Sequence, residues 1–196
     1  WLGKGKNARA MDLDDDEAAF VKTLDLLSYK PIIYVANVSD SDVASEDNSY
    51  VKQVRQIAAA ENARVTVICA EIEAEVAELE DDERAMFLEE LGISESGLDK
   101  LIKASYSLLD LISFLTAGEP EVRAWTIKRG TKAPGAAGKI HSDFEKGFIR
   151  AETIAYDKLI ECGGNLATAK EKGLIRSEGK EYVVKDGDVM HFLFNV

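Results

Sequence analysis

The chain holds 196 residues, 46% of them apolar, with a formal net charge of −12. That length suits one large domain or two small ones with a sizeable buried core. No apolar run reaches the roughly 20 residues of a membrane-spanning helix, no secretory signal opens the chain, and so acidic a balance argues on its face against a nucleic-acid binder. The chain begins "WLGKGKNARAM" with no initiator Met, so it is expected to be a piece of a longer protein. Cys69 and Cys162 lie far apart without metal-ligand spacing, which predicts reduced thiols in a cytoplasmic protein and no metal site.

In chain order, "DLDDDEAAFVKTLDLLSY" predicts an amphipathic helix over 12–28, with Phe20, Val21, Leu24 and Leu27 at helical spacing behind an acidic first turn. Pro31 stops it. "PIIYVA" then reads as a short strand covered on both faces, as in a parallel sheet. A polar loop over 39–49 leads to a helix with Val51, Val54, Ile57 and Ala58 on one face, and "RVTVICA" at 64–70 is a second buried strand. Residues 71–93 form one or two acidic helices. "SGLDKLIKASYSLLDLISFL" predicts a further helix with Leu98, Leu101, Ile102, Ser105, Leu108, Leu109 and Ile112 inward. Alternating strands and helices indicate an α/β parallel sheet. The pattern changes near 113–118, where a domain boundary is expected. Beyond it come a strand at 122–130, a loop at 130–140, a short helix from His141, a strand at 149–155, two short helical pieces, and two strands within "EYVVKDGDVMHFLFNV" joined by Lys185-Asp186-Gly187-Asp188. This second unit is of mixed α+β type.

Charge is distributed unevenly. Residues 1–112 carry 11 basic and 24 acidic side chains, whereas 113–196 carry 13 and 12. Within 123–150 stand Arg123, Lys128, Arg129, Lys132, Lys139, Lys146 and Arg150 against Asp143 and Glu145. A local basic excess on an acidic chain points to RNA contact better than the total charge does. His141 is expected to start a helix with Ser142 or Asp143 as its cap. His191 reads as an ordinary strand residue, Phe144 and Phe148 as core anchors, and Trp125 as packing.

Asn37-Val38-Ser39-Asp40 follows the first apolar strand. Ligands of open α/β sheets sit beyond the carboxyl ends of strands. An Asn there offers an acceptor and two donors to a purine edge, and Asp40 can accept from ring N–H and amino groups. The end of the second strand would bring the Cys69-Ala70 backbone to the same rim. Spacing alone makes this weak, since Asn at a strand end is commonly a turn residue.

The stretches "KPIIYVANV", "VICAEIEAEVAEL", "FLTAGEPEVRAWTIKRGTKAPGAAGKIHSDFEKGFIRAETI" and "VKDGDVMHFLFNV" resemble the YchF-type, Obg-like ATPase family of P-loop NTPases. The resemblance implies three parts: 1–28 as the returning arm of a helical (coiled-coil) insertion, 29–112 as the C-terminal part of the nucleotide-binding domain with a partial P-loop-type parallel sheet, and 113–196 as a β-grasp TGS domain. It assigns base recognition to Asn37, Val38 and Asp40 with Cys69 and Ala70, and it places ribosome or rRNA binding on the TGS domain, 113–196. General GTPases have Lys where this chain has Val38, and the family typically has Glu where this chain has Asp40. The expected ligand is a purine nucleotide, ATP first as the resemblance implies, with GTP also accepted: adenine has no N1–H to give the carboxylate, and Asp40 restores the residue type used against guanine. No G-x-x-x-x-G-K-[ST] occurs in the chain. The phosphate cradle and Mg²⁺ would come from a preceding segment, so no catalytic residue is expected here and these residues alone should not hydrolyse nucleotide. A cytoplasmic, monomeric state without membrane partners is expected. The competing reading is a stand-alone RNA- or protein-binding module without hydrolysis.

Overall fold

The computed structural model describes residues 1–43, 48–118 and 121–195. They divide into two units, Trp1–Leu108 and Leu109–Val196. The break falls a few residues before the expected 113–118, because the strand that opens the second unit starts earlier than its sequence suggests.

In the first unit, helix α1 spans Asp15–Thr23. Its start is closed by a capping box: Asp14 Oδ1 accepts from the Glu17 N–H at 2.8 Å, and Glu17 accepts from the Asp14 N–H at 3.2 Å. The helix does not run to 28 as expected, since Asp25 adopts a left-handed conformation, φ 49°, and turns the chain. Only Val21 of the apolar stripe is buried; Phe20, Leu24 and Leu27 are exposed.

Strand β1, Ile33–Asn37, pairs in parallel with β2, Arg64–Ile68, in a register from Ile33 opposite Arg64 to Asn37 opposite Ile68. The parallel pairing is as predicted, but β1 is not covered on both faces. It pairs with β2 alone among the described residues, and Val35 stays exposed. Helix α2, Asp40–Val43, occupies part of the expected polar loop. Residues 44–47 of that loop lie outside the described residues.

Helix α3, Ser49–Ala60, is capped by Asn48, whose Oδ1 accepts from the N–H groups of Tyr50 and Val51. It buries Val51 and Ala58 and partly buries Val54. Ile57, expected inward, sits on the flank of this narrow stripe and is exposed. The acidic stretch forms two helices, α4 at Ala70–Glu78 and α5 at Asp81–Glu90.

Helix α6 spans Gly97–Leu108. Leu98 and Ile102 face outward, contrary to expectation. Asp110, φ 53°, ends the helical course, and Leu109 and Ile112 therefore belong to no helix. A short apolar run such as "LISFL" suits a helix or a strand equally on local pattern. Its pairing partners decide for a strand.

That strand is β3, Leu111–Ala117, followed by β4, Val122–Lys128. Then come α7 (Ala133–Ile140), α8 (Ser142–Lys146), β5 (Phe148–Ala155), α9 (Tyr156–Ile160), α10 (Leu166–Glu171), β6 (Arg176–Glu178) and β7 (Asp188–Phe194). The sheet order is β4-β3-β7-β5-β6, with β3 and β7 parallel and every other pair antiparallel. A mixed sheet with its first and last strands side by side in the middle and a helix across one face is a β-grasp arrangement.

Three local expectations fail in this unit. The expected loop at 130–140 is largely α7: Pro134 in its first turn is preset for helix, and Ala133, Ala136 and Ala137 are fully buried against the sheet. The first of the two strands expected in "EYVVKDGDVMHFLFNV" is reduced to one bridge, Val183 to Lys132, while β7 supplies the second. The three-residue β6 has no apolar alternation that could have announced it.

The core on the α7 face is aromatic. Phe114 and Phe148 meet Phe192 with ring centroids 5.8 and 6.2 Å apart, and Phe144 stacks on Phe194 at 3.9 Å. Phe144 and Phe148 thus serve as packing anchors. Trp125 packs against the same cluster and donates from Nε1 to Thr116 Oγ1. His141 is itself the cap of α8, accepting at Nδ1 from the Asp143 N–H, in place of Ser142 or Asp143.

Candidate functional site

The carboxyl ends of β1 and β2 lie side by side, so parallel register alone brings residues 37–40 to residues 68–70. The ladder continues one residue past β1, where the Val38 N–H donates to the Ile68 carbonyl at 2.9 Å. Across the gap the Ala70 N–H donates to Asn37 Oδ1 at 2.9 Å. Ala70 is the first residue of α4, whose leading N–H groups have no partner within the helix. Asn37 supplies one. With its oxygen committed, the Asn37 side chain presents its amide N–H groups at an exposed rim.

The other predicted residues divide. Asp40 is exposed at the start of α2, and its Oδ1 accepts from the Ser41 N–H at 2.7 Å. The Cys69 thiol is buried in a cluster with Val43, Ile72, Val76 and Leu88, so Cys69 gives the rim only backbone. Val38 is half-buried, and its side chain packs against that same cluster. An apolar branched side chain gains more from that contact than from water.

Two supports of this rim were not evident in the sequence. Glu73, in the first turn of α4, accepts from the N–H groups of Gly97 and Leu98 at 2.6 and 3.0 Å. It thereby caps α6 from a neighbouring helix, with a negative charge at the helix's positive end. Gly97 fits so closely that a β-carbon there would stand 2.7 Å from Ile68 Cγ2 and 2.8 Å from Glu73 Oε1. The end of β2, α4 and α6 therefore interlock directly behind Cys69-Ala70.

The second support is Glu61, after α3. It accepts from Asn7 Nδ2 at 2.7 Å, Arg9 Nη1 at 3.0 Å and Tyr34 OH at 3.1 Å, while Arg9 Nε donates to the Lys30 carbonyl. Burial pulls the Glu61 pKa upward, but the three hydrogen bonds and the Arg9 charge outweigh it and hold the carboxyl below its ordinary value. Burial, and then the same carboxylate, raises the Tyr34 hydroxyl. This cluster ties the first eleven residues to β1 and α3.

The seven basic residues of the second unit do not share one environment. Lys128 Nζ donates to the Leu109 carbonyl at 2.6 Å, Arg129 pairs with Asp110 at 3.2 Å and Lys132 with Glu181 at 2.5 Å. Arg123 lies over the Trp125 ring at 4.2 Å, 3.7 Å from Glu121. Lys139, Lys146 and Arg150 are exposed. Lys139 and Lys146 belong to α7 and α8. Arg150 points to the opposite side of the sheet, because its neighbour Ala151 lies in the core against α7.

Fold and rim together define a class: a parallel α/β unit with an Asn-bearing strand end, joined in sequence to a β-grasp module. A family model, YchF-GTPase_C, described as "Protein of unknown function (DUF933)", matches residues 111–195. Over 192 residues the chain is 62% identical to the "Ribosome-binding ATPase YchF" of Bacillus subtilis, covering 97% of this chain and 52% of that protein. It is 54% identical over 188 residues to the protein of the same name from Escherichia coli O157:H7, with 96% and 51% covered. Among solved structures, the Schizosaccharomyces pombe YchF GTPase superposes with a TM-score of 0.81 at 32% identity, over 97% of this chain and 50% of that one. A GTP-binding protein from Pyrococcus horikoshii OT3, TM-score 0.57 at 17% identity, shares the fold. The chain matches the C-terminal portion of YchF proteins, and it spans about half the length of the curated relatives it matches.

Proposed function

We propose that these residues form the base-recognition side and the TGS-type module of a cytoplasmic, ribosome-associated ATPase. The observation that carries this reading is the bond from the Ala70 N–H to Asn37 Oδ1 across two parallel strand ends. It orients the Asn37 amide N–H groups toward a purine acceptor such as N7, with the Asp40 carboxylate three residues away. These residues fit a purine ring. When bound, a nucleoside triphosphate with Mg²⁺ would supply the cleavable phosphoanhydride. This chain's own contribution is to hold and orient the base: Asn37 by donation, the 68–70 backbone by lining the rim, and Asp40 by accepting from an amino or ring N–H group.

ATP is the first ligand on the strength of the relatives' printed name, and GTP also enters through Asp40. Guanine's N1–H and 2-amino groups suit Asp40 directly, whereas adenine leaves that carboxylate without a ring N–H partner. The second unit meets the ribosome, and its exposed Lys139 and Lys146 are the cations best placed on the α7–α8 side to do so. The relatives' printed names support both halves of this reading. Equilibrium competition against a fluorescent ATP analogue on the natural full-length protein tests it, with ribosome co-sedimentation run in parallel. Displacement by ATP at least as strong as by GTP is expected. Failure of both nucleotides to compete would overturn the nucleotide reading, and absence from the ribosome pellet would overturn the other.

A further inference from the structure

On the sheet face opposite α7, a cavity of about 330 Å³ opens between β5, β7 and α10. Its floor is apolar: Ile154 and Val189 are buried, and Ile175 closes one side. Its rim is polar. Glu152 and His191 stand directly opposite each other across β5 and β7, where facing side chains start about 5 Å apart, and Lys170 reaches in from α10. None of these three side chains makes a hydrogen bond or ion pair among the described residues, whereas Lys158 pairs with Glu161 and Arg176 with Glu178. Three free polar groups around a dry floor mark a place for a ligand with a flat apolar body, a donor-acceptor edge and an anionic substituent.

We propose that this cavity takes one unstacked nucleotide of a single-stranded RNA. The proposal rests on the reading that the second unit meets the ribosome, and it supplies the element of RNA that the unit grips. A nucleobase offers a flat face to Ile154 and Val189. Its edge carries at least one donor for Glu152 and one acceptor for the His191 imidazole N–H. Its phosphate falls to Lys170. Arg150 projects from the same face two residues before Glu152, about 6.6 Å along the strand. A second cation is thus in line for the next phosphate, which favours a strand over a free nucleotide. The volume is at the small end for ligand pockets, and it accommodates a single base rather than a helix or a duplex. Specific recognition of RNA generally uses splayed-out bases of this kind.

The test measures fluorescence anisotropy of a 5′-fluorescein-labelled hexaadenylate RNA with the full-length protein across a salt series. Lys170→Glu should weaken binding about tenfold or more and flatten the salt dependence by about one phosphate contact. Ala167→Trp, an exposed substitution at the cavity mouth, should weaken binding about tenfold with no change in salt slope, since it blocks the base and leaves the charges. Both variants should keep the wild-type melting temperature. The proposal is overturned if wild type does not bind the RNA, or if both variants bind as wild type does. Displacement of the RNA by adenosine monophosphate at equal molar concentration would give the cavity to a free nucleotide and overturn the RNA assignment. Ribosome co-sedimentation separates the two levels of the argument. Pelleting without cavity-dependent RNA binding overturns the cavity alone, and loss of pelleting by wild type removes the ribosome reading beneath it.

Discussion

Gly97→Ala is a substitution whose sign the structure decides. In a helix, Ala is ordinarily better than Gly by about 0.5–1 kcal/mol. Gly97 is the first residue of α6, and its φ is not one that requires glycine. Propensity alone therefore predicts stabilisation. Against it stands the space: the added methyl would lie 2.7 Å from Ile68 Cγ2, 2.9 Å from Ile68 Cβ and 2.8 Å from Glu73 Oε1. Ile68 is β-branched and held in the β1–β2 ladder, so it has little freedom to swing aside. The first turn of α6 must move instead, and that stretches the bonds from the Gly97 and Leu98 N–H groups to Glu73. Overpacking of this kind costs about 1–3 kcal/mol, and weakening a charge-assisted hydrogen bond adds to it. The net expectation is destabilisation by about 1–3 kcal/mol. In urea unfolding followed by far-UV circular dichroism, with a slope of about 2 kcal/mol per molar, the midpoint should fall by roughly 0.5–1.5 M. Gly3→Ala, where an added methyl meets nothing within 4 Å, is the neutral control. A Gly97→Ala midpoint at or above wild type would show that propensity wins and that the interlock behind residues 69–70 is not tight.

Three further outcomes follow from the same reasoning. Asn37→Ala removes the acceptor of the Ala70 N–H and the donor pair at the rim; purine-nucleotide affinity of the full-length protein should drop about tenfold, roughly 1.4 kcal/mol, and unchanged competition curves would refute that role. The Glu61 carboxyl is held below its ordinary value, so its stabilising effect is complete above the unfolded pKa of about 4.3 and disappears as pH falls through the lower native value. Trp1 fluorescence should report release of the amino-terminal segment in that acid range, and Glu61→Gln should abolish the step. The Tyr182 hydroxyl is pushed up to about 12 by burial first, then by its bond to Asp188; stability from this group is full below pH ~10 and is lost as pH climbs toward the native value, so Tyr182→Phe should flatten the alkaline limb of a pH–stability curve measured by urea midpoints.

Much of the site was legible in residue order because its key relation is short-range. A parallel β-α-β unit with apolar strands running up to Asn37 and Ile68 has one simple way to pair, and pairing sets those ends together. The sense in which each residue contributes was not legible. Val38 sits in the same tetrapeptide as Asn37, yet its side chain turns into the Val43–Cys69–Ile72 cluster. Which way a residue just past a strand faces depends on what packs behind it, and here that is α4, more than thirty residues on. Glu73 gave no signal either, since one acid among many on an acidic helix looks solvated until Gly97 and Leu98 arrive to use it. The basic residues at 123–150 are contiguous in sequence but not in environment, because strand alternation sends Arg150 to one side of the sheet and leaves Lys139 and Lys146 to the helices on the other.

Sequence by itself determined the alternation of apolar runs, the acidic first turn of the opening helix, the β-branched strands and the family likeness, all of which depend on neighbours within a few residues. Tertiary structure decided the rest. Leu111–Ala117 became a strand through its partners β4 and β7, a Gly- and Ala-rich stretch became α7 through a sheet that needed small residues against it, and Arg176–Glu178 became an edge strand through β5 alone. The physical reason is common to all three. Local energies for helix, strand and loop differ there by less than the free energy of a few long-range contacts, so the deciding partners lie far away along the chain.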